Sequence, residues 1–319
     1  MNTAKHFEMS AADGEFADAV IAGLRASPKA IPSRFFYDAR GSELFERITE
    51  LGDYYPTNAE IALLEHYRSE IAKLAGPGVK LVEFGSGSSR KTDRLIEALP
   101  SIASYVPIDI SDSALTQAVA RLKARFPDLA VHPLYGDFNQ KLDLSAAPNG
   151  KITLGFFPGS TIGNLTHDDA RRFLENSLAL LGRRSAFLVG VDLKKDTGIL
   201  LPAYNDRKGI TAAFNLNLLI RINRELGGTF DLDGFSHEAV YNETQGRIEM
   251  HIRSLKAQSV QVLSEQFAFA EGETIHTENS HKYSVEEFQE LSRAAGWEPL
   301  RSWTGQDRLF SLHYLVPAS

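Results

Sequence analysis

Between residues 79 and 191, short apolar runs alternate with helical patterns, and this rhythm restricts the possible fold more than any other property of the chain. Residues 79–84, 103–108, 130–134, 152–157 and 186–191 are apolar stretches of strand length, the pattern of strands buried on both faces. Helical periodicity separates most of them, over 90–99, 113–126 and 168–181, the last behind a Thr166-x-x-Asp169 cap. Strands and helices taking turns in this way predict a parallel, doubly wound sheet.

The alternation stops after Asp192. Residues 209–226 read as a long helix and 236–264 as paired strands turning at 242–246. Ser284-x-x-Glu287 then caps a helix to Ala295, and strands at 299–303 and 309–316 suggest an antiparallel hairpin added to the sheet. Upstream, residues 15–27 and 42–51 read as amphipathic helices around the aromatic stretch 34–38. Thr57-Asn58-Ala59-Glu60 reads as a capping box opening a helix to about Ala75. The expected architecture is α/β: a Rossmann-like sheet, parallel with a C-terminal antiparallel hairpin, over 59–194 and 283–319. Residues 14–58 and 195–282 should form a second α+β lobe that binds substrate, and 319 residues are ample for both.

Composition removes several classes of function. Without cysteine there is no disulfide framework, thiolate zinc site, iron–sulfur cluster or catalytic thiol. With 34 Lys and Arg scattered against 41 Asp and Glu, the net charge of −7 does not favour nucleic acid. Residues 1–13 lack a signal-peptide profile, and no apolar window is long enough to span a membrane. The expectation is a cytoplasmic monomer acting on a small molecule.

Gly85 and Gly87 follow the first buried strand, where glycine lets the backbone turn tightly and approach a ligand. Asp109 ends the second strand, placed to accept hydrogen bonds from a ribose. Two nucleoside ligands compete for this pattern. A dinucleotide, as in an oxidoreductase, needs a third small residue three positions after Gly87, where Arg90 stands. S-adenosylmethionine needs only the glycine-lined passage. Glu83 before the loop and Gly136-Asp137-Phe138 after the third strand fit that methyl donor better.

These residues carry a resemblance. Segments 36–42 (FYDARGS), 54–57 (YYPT), 83–87 (EFGSG), 157–165 (FPGSTIGNL), 211–215 (TAAFN) and 277–280 (TENS) resemble the histidine Nα-methyltransferases of ergothioneine biosynthesis, in order and over nearly the whole chain from Glu15. The resemblance implies a class I methyltransferase sheet and trimethylation of the α-amino group of L-histidine to hercynine, with no metal. It maps the donor's contacts to Tyr37, Gly85, Lys91, Asp109, Asp137 and Phe138. It maps the histidine carboxylate to Asn164 and Tyr204 and the imidazole to Tyr54, Glu278 and Ser280, with Met250 lining the pocket. Tyr37 is the candidate to hold the reacting amine.

The residues themselves permit this assignment. In a strand, Glu278 and Ser280 point the same way, so a carboxylate and a hydroxyl can serve the two imidazole nitrogens. Tyr37 and Phe45 offer aromatic faces for a quaternary ammonium product. The same alternation puts His276 on the face of Glu278 and His281 on the other, which disperses a metal site drawn from His251, His276 and His281. A methyltransferase for tryptophan or tyrosine is the other reading, and Glu278 and Met250 discriminate against it.

Overall fold

The computed structural model describes residues 11–86, 90–110, 112–137 and 142–319. Its central sheet has seven strands in the spatial order Trp297–Thr304, Phe310–Pro317, Ser185–Asp192, Ile152–Phe157, Val79–Phe84, Ile102–Asp109 and Leu134–Tyr135. The strands before Asp192 pair in parallel, whereas Phe310–Pro317 runs antiparallel to both of its neighbours. The parallel sheet with a C-terminal hairpin is thus the observed architecture. The strand expected at 130–134 pairs only at Leu134–Tyr135, after a lone bridge from Val131 to Tyr105.

Val79–Phe84 and Ser185–Asp192 are buried along their whole length, as continuous apolar runs require. Alternate residues feed two cores on opposite faces, one around Leu81, Leu154 and Leu188, the other around Val82, Phe157 and Val189. The chain builds outward from Val79–Phe84 to Leu134–Tyr135, then returns to place Ile152–Phe157 on the other side of the first strand. The carboxyl ends of these two strands therefore flank a topological switch point, where open α/β sheets receive ligands.

A second sheet has the order Lys29–Ala30, Thr274–His281, Arg247–Ser254 and Phe235–Asn242, beside a hairpin of Gln258–Val262 and Glu265–Phe269. A third core joins it to the helices Ala11–Arg25, Ala39–Thr49 and Ile210–Leu226 through residues such as Phe16, Leu44, Leu218 and Ile252.

One expected capping box does not form. The helix opens earlier, as Tyr55–His66 with Pro56 in its first turn, and is followed by Arg68–Ala75. Thr57 and Glu60 are both buried inside it, and Glu60 turns to Lys91 and the Gly159 N–H. A buried carboxylate is better satisfied by an ammonium and an amide than by a helix-cap N–H alone. The box at Ser284 and Glu287 forms as expected.

Candidate active site

The carboxyl ends of the first three parallel strands carry the expected donor residues. Gly85 turns the chain with φ 75°, a left-handed conformation suited to glycine, while its N–H donates to Ile108. Asp109 closes the second strand, and its carbonyl accepts from the Gly136 N–H at 3.0 Å, which places Asp137 beside it. Phe138 and Gly87 lie outside the described residues. Glu83 turns inward, away from any ligand, and accepts from the hydroxyls of Thr92 and Tyr105. Burial pushes its carboxyl up to about 7 against those two hydrogen bonds.

Lys91 is held rather than solvated. Its Nζ lies 2.8 Å from Oε2 of the fully buried Glu60, and the Gly159 N–H donates to the same oxygen at 2.8 Å. Gly159 has φ 80°, and a Cβ there would come within 3.1 Å of Lys91 Nζ. Glycine thus lets the backbone close over the ammonium. Sequence reading missed Glu60 as a site residue because it matched a cap.

Four aromatic residues form a wall on the opposite side. Tyr37 meets Phe45 at 5.6 Å between ring centroids, Phe45 meets Tyr54 at 6.4 Å, and Tyr54 meets Tyr204 at 6.2 Å, all edge to face. Phe214 supports Tyr37 and Phe45. Asp38 fixes this wall: its Oδ1 caps Ala39–Thr49 through the Gly41 N–H and accepts from Asn217, while Oδ2 takes Arg224. Position 41 must be glycine, since a Cβ would lie 1.7 Å from the Phe36 carbonyl oxygen. Tyr204 ends the unforeseen helix Thr197–Tyr204, capped by Asp196.

A β-bulge decides which way the acceptor strand faces. Thr274–His281 pairs His276 with His251 but Glu278 with Met250, so Thr277 is the inserted residue. Asn215 anchors the insertion: its Oδ1 accepts from Thr277 Oγ1, and its Nδ2 lies 2.9 Å from both the His251 carbonyl and His237 Nδ1. Beyond the bulge Glu278, Ser280 and Met250 share one face, as expected for the first two. His276 does not share it, contrary to the simple alternation. The inserted residue turns His276 to the far face with Glu249 and His251, whose metal-ligating atoms approach within 4.8 Å of one another. Arg247 and Asn242 already satisfy that glutamate and, against its burial, hold it down to about 2.

Behind Ser280 lies a charged network absent from the sequence-based residues. Lys282, fully buried, donates to Asp192 at 2.6 Å, Ser280 at 2.8 Å and Tyr204 at 2.9 Å. Asp192 also receives Lys195 and the Tyr55 hydroxyl. Burial alone would raise the Asp192 carboxyl, yet the two ammonium groups hold it below its ordinary range. Burial outweighs the same attraction at Lys195 and lowers it to about 8. The sequence signals here are faint: Lys282 lies two residues past Ser280, and Asp192 ends a strand as Asp109 does.

Four groups around the ligand space are left open to a ligand. Among the described residues, no hydrogen bond or ion pair engages the Tyr37 or Tyr54 hydroxyl, the Asn164 amide or the Glu278 carboxylate. Burial, then the charges of Glu278, Tyr54, Asp109 and Tyr204, push the Tyr37 hydroxyl up. Burial likewise raises Glu278 to about 7, with Lys282 opposing. A cleft of about 590 Å³ joins Asp137, Asn164 and Glu278. The switch point supplies a glycine-turned entry and two carboxylates suited to a nucleoside. The opposite wall supplies aromatic faces, unpaired hydroxyls and a carboxylate suited to a small amine bearing a polar ring.

Residues 16–317 match the family model "Histidine-specific methyltransferase, SAM-dependent". The histidine N-alpha-methyltransferase of Mycolicibacterium smegmatis is 41% identical over 302 residues, covering 93% of each chain. That of Mycobacterium tuberculosis is 39% identical over 92% of each chain. Ergothioneine biosynthesis protein 1 of Neurospora crassa is 34% identical over 91% of this chain and 33% of its own length. The chain belongs to the S-adenosylmethionine-dependent, histidine-specific methyltransferase family.

Proposed function

We propose that this enzyme adds three methyl groups to the α-amino nitrogen of L-histidine, giving hercynine, as the methyltransferase step of ergothioneine biosynthesis. The observation that carries the reading is the unpaired Glu278 carboxylate, on the same face of a bulged strand as Ser280 and opposite Met250 of the next strand, within a family specific for histidine. Residues 59–194 with 283–319 hold the donor, and 14–58 with 195–282 hold the substrate, in keeping with their separate cores.

Asp109, Asp137 and Phe138 receive the donor's nucleoside end, and Gly85, Lys91 and Tyr37 its amino-acid end. When bound, S-adenosylmethionine supplies an electrophilic methyl group, whose bond to sulfur breaks as the bond to nitrogen forms. The chain's contribution is position, the largest source of acceleration for such a displacement. Asn164 holds the histidine carboxylate through its amide N–H, and the Tyr204 ring lines that end of the pocket with its hydroxyl engaged by Ser280 and Lys282, so no free positive charge is brought to the donor. Tyr54, Glu278 and Ser280 fix the imidazole, with Met250 filling the pocket. The Tyr37 hydroxyl oxygen accepts from the amine N–H. Its raised pKa keeps it a phenol, so the amine's proton leaves to solvent. Tyr37 and Phe45 then face the growing quaternary cation. No metal takes part, a reading supported by the placement of the Glu249 cluster on the far face of the strand.

The test is the mass of the product formed from all twenty amino acids with the methyl donor. Trimethylhistidine is the expected product. Methylated tryptophan or tyrosine without methylated histidine would sink the assignment.

A further inference from the structure

All three N–H bonds of the Lys282 ammonium are committed, to Asp192, Ser280 and Tyr204. An ammonium only donates, so both hydroxyl oxygens are acceptors toward it. The two oxygens lie 2.8 Å apart, so one of their two O–H protons sits between them. A phenol is a stronger acid than an alcohol and is the donor in that bond. Ser280 Oγ then accepts twice, from Lys282 and from Tyr204, which fills both lone pairs. Its own proton is left to point outward, into the space faced by Glu278. The carboxylate of Asp192 does not draw that proton back, because Lys282, Lys195 and Tyr55 occupy it.

We infer that Lys282 is a positioning residue that makes Ser280 an obligatory hydrogen-bond donor, so that the site accepts the imidazole of histidine only as the neutral ring, its N–H on Glu278 and its bare nitrogen on Ser280. This rests on the functional reading above. Glu278 accepts and Ser280 donates, and a neutral imidazole has one N–H and one lone pair to match them. An imidazolium would set its second N–H against the Ser280 O–H, near the Lys282 charge. An indole satisfies Glu278 but offers Ser280 no lone pair, leaving a buried hydroxyl unpaired. Lys282 thereby contributes to discrimination against tryptophan without touching the ligand.

Ring-labelled ¹⁵N-histidine, bound to the wild-type enzyme with S-adenosylhomocysteine at pH 6.5, tests this by NMR. Free imidazole is about half protonated there. The expected spectrum has one protonated and one bare ring nitrogen; two protonated nitrogens would overturn the inference. In Lys282→Met, Asp192 keeps Lys195 and Tyr55. Calorimetry should show histidine affinity falling about tenfold or more. The affinities for S-adenosylhomocysteine and for 3-(2-thienyl)-L-alanine, whose ring has no nitrogen, should be unchanged. Wild-type histidine affinity in Lys282→Met would also overturn the inference, and if that variant does not fold the wild-type spectrum still decides. Histidine neither bound nor methylated would remove the functional reading and this inference with it. Histidine methylated but bound as imidazolium would remove this inference alone.

Discussion

Replacing Glu278 by glutamine should make the ligand-free enzyme more stable and the binding of histidine weaker. Burial raises the Glu278 carboxyl from 4.5 to about 7, against the attraction of Lys282. That rise corresponds to roughly 3 kcal/mol held against the fold whenever the group is ionised. The sign follows from proton binding. Between about 4.5 and 7 the folded state holds a proton that the unfolded state has released, so stability falls as pH rises through this window. Above pH 7 the full penalty applies, and near pH 4.5 it is absent. Glutamine has nearly the same shape and never ionises. Calorimetric melting should therefore place Glu278→Gln above the wild type at pH 8 by several degrees and level with it near pH 5. Binding should move the other way, because a charge-assisted acceptor for the ring N–H is lost, at about 1.5–3 kcal/mol or roughly ten- to 150-fold in histidine affinity. S-adenosylhomocysteine should bind as before. For the wild type, histidine affinity should decline below pH 7, as Glu278 takes up its proton. A variant less stable at pH 8, or one losing donor and histidine affinity equally, would show that Glu278 is a structural residue.

Lys91→Met leaves the fully buried Glu60 without its ammonium and should cost about 3–5 kcal/mol of stability along with donor affinity. Adding Glu60→Gln should recover part of the melting temperature but not the calorimetric donor affinity. Asn215→Ala removes the anchor of the bulge and leaves His237 Nδ1 and the His251 carbonyl short of a partner, about 1–3 kcal/mol for each group left unsatisfied, while the Thr277 hydroxyl keeps the Met250 carbonyl. Steady-state kinetics should show a raised KM for histidine with donor binding kept. Gly41→Ala forces a Cβ into the Phe36 carbonyl and should lower the melting temperature by an amount equivalent to about 1–3 kcal/mol. Exhaustive dialysis against a chelator should leave the rate unchanged; loss of activity that zinc restores would make Glu249, His251 and His276 a working metal site.

The fold was legible wherever burial left a periodic trace. The parallel strands read as apolar runs because helices cover both faces, and Thr166 and Ser284 marked helix starts because their partners lie three residues away. Thr57 and Glu60 have the same spacing without the same outcome, since Lys91 and Gly159, distant in sequence, compete for the carboxylate. The common orientation of Glu278 and Ser280 survived inspection because the bulge precedes both. The orientation of His276 did not, because one inserted residue inverts every face before it relative to those after it, and nothing in the local alternation marks Thr277 as the insertion.

Lys282, Lys195 and Asp192 were hidden for a deeper reason. Reading a sequence treats charge as a sign of solvent, and that rule fails where charges bury one another. Lys282 and Asp192 are 90 residues apart, and the parallel bridge between Leu193 and Tyr283, just past the two strands, brings them together. Such a cluster is a poor source of stability, since desolvation offsets most of its attraction. What it supplies is direction. The ammonium fixes which way two hydroxyl protons point, and an unpaired carboxylate is left facing them. The property that selects one ring over another therefore depends most on the residues with the least sequence signal, and the NMR state of the bound imidazole reports on them directly.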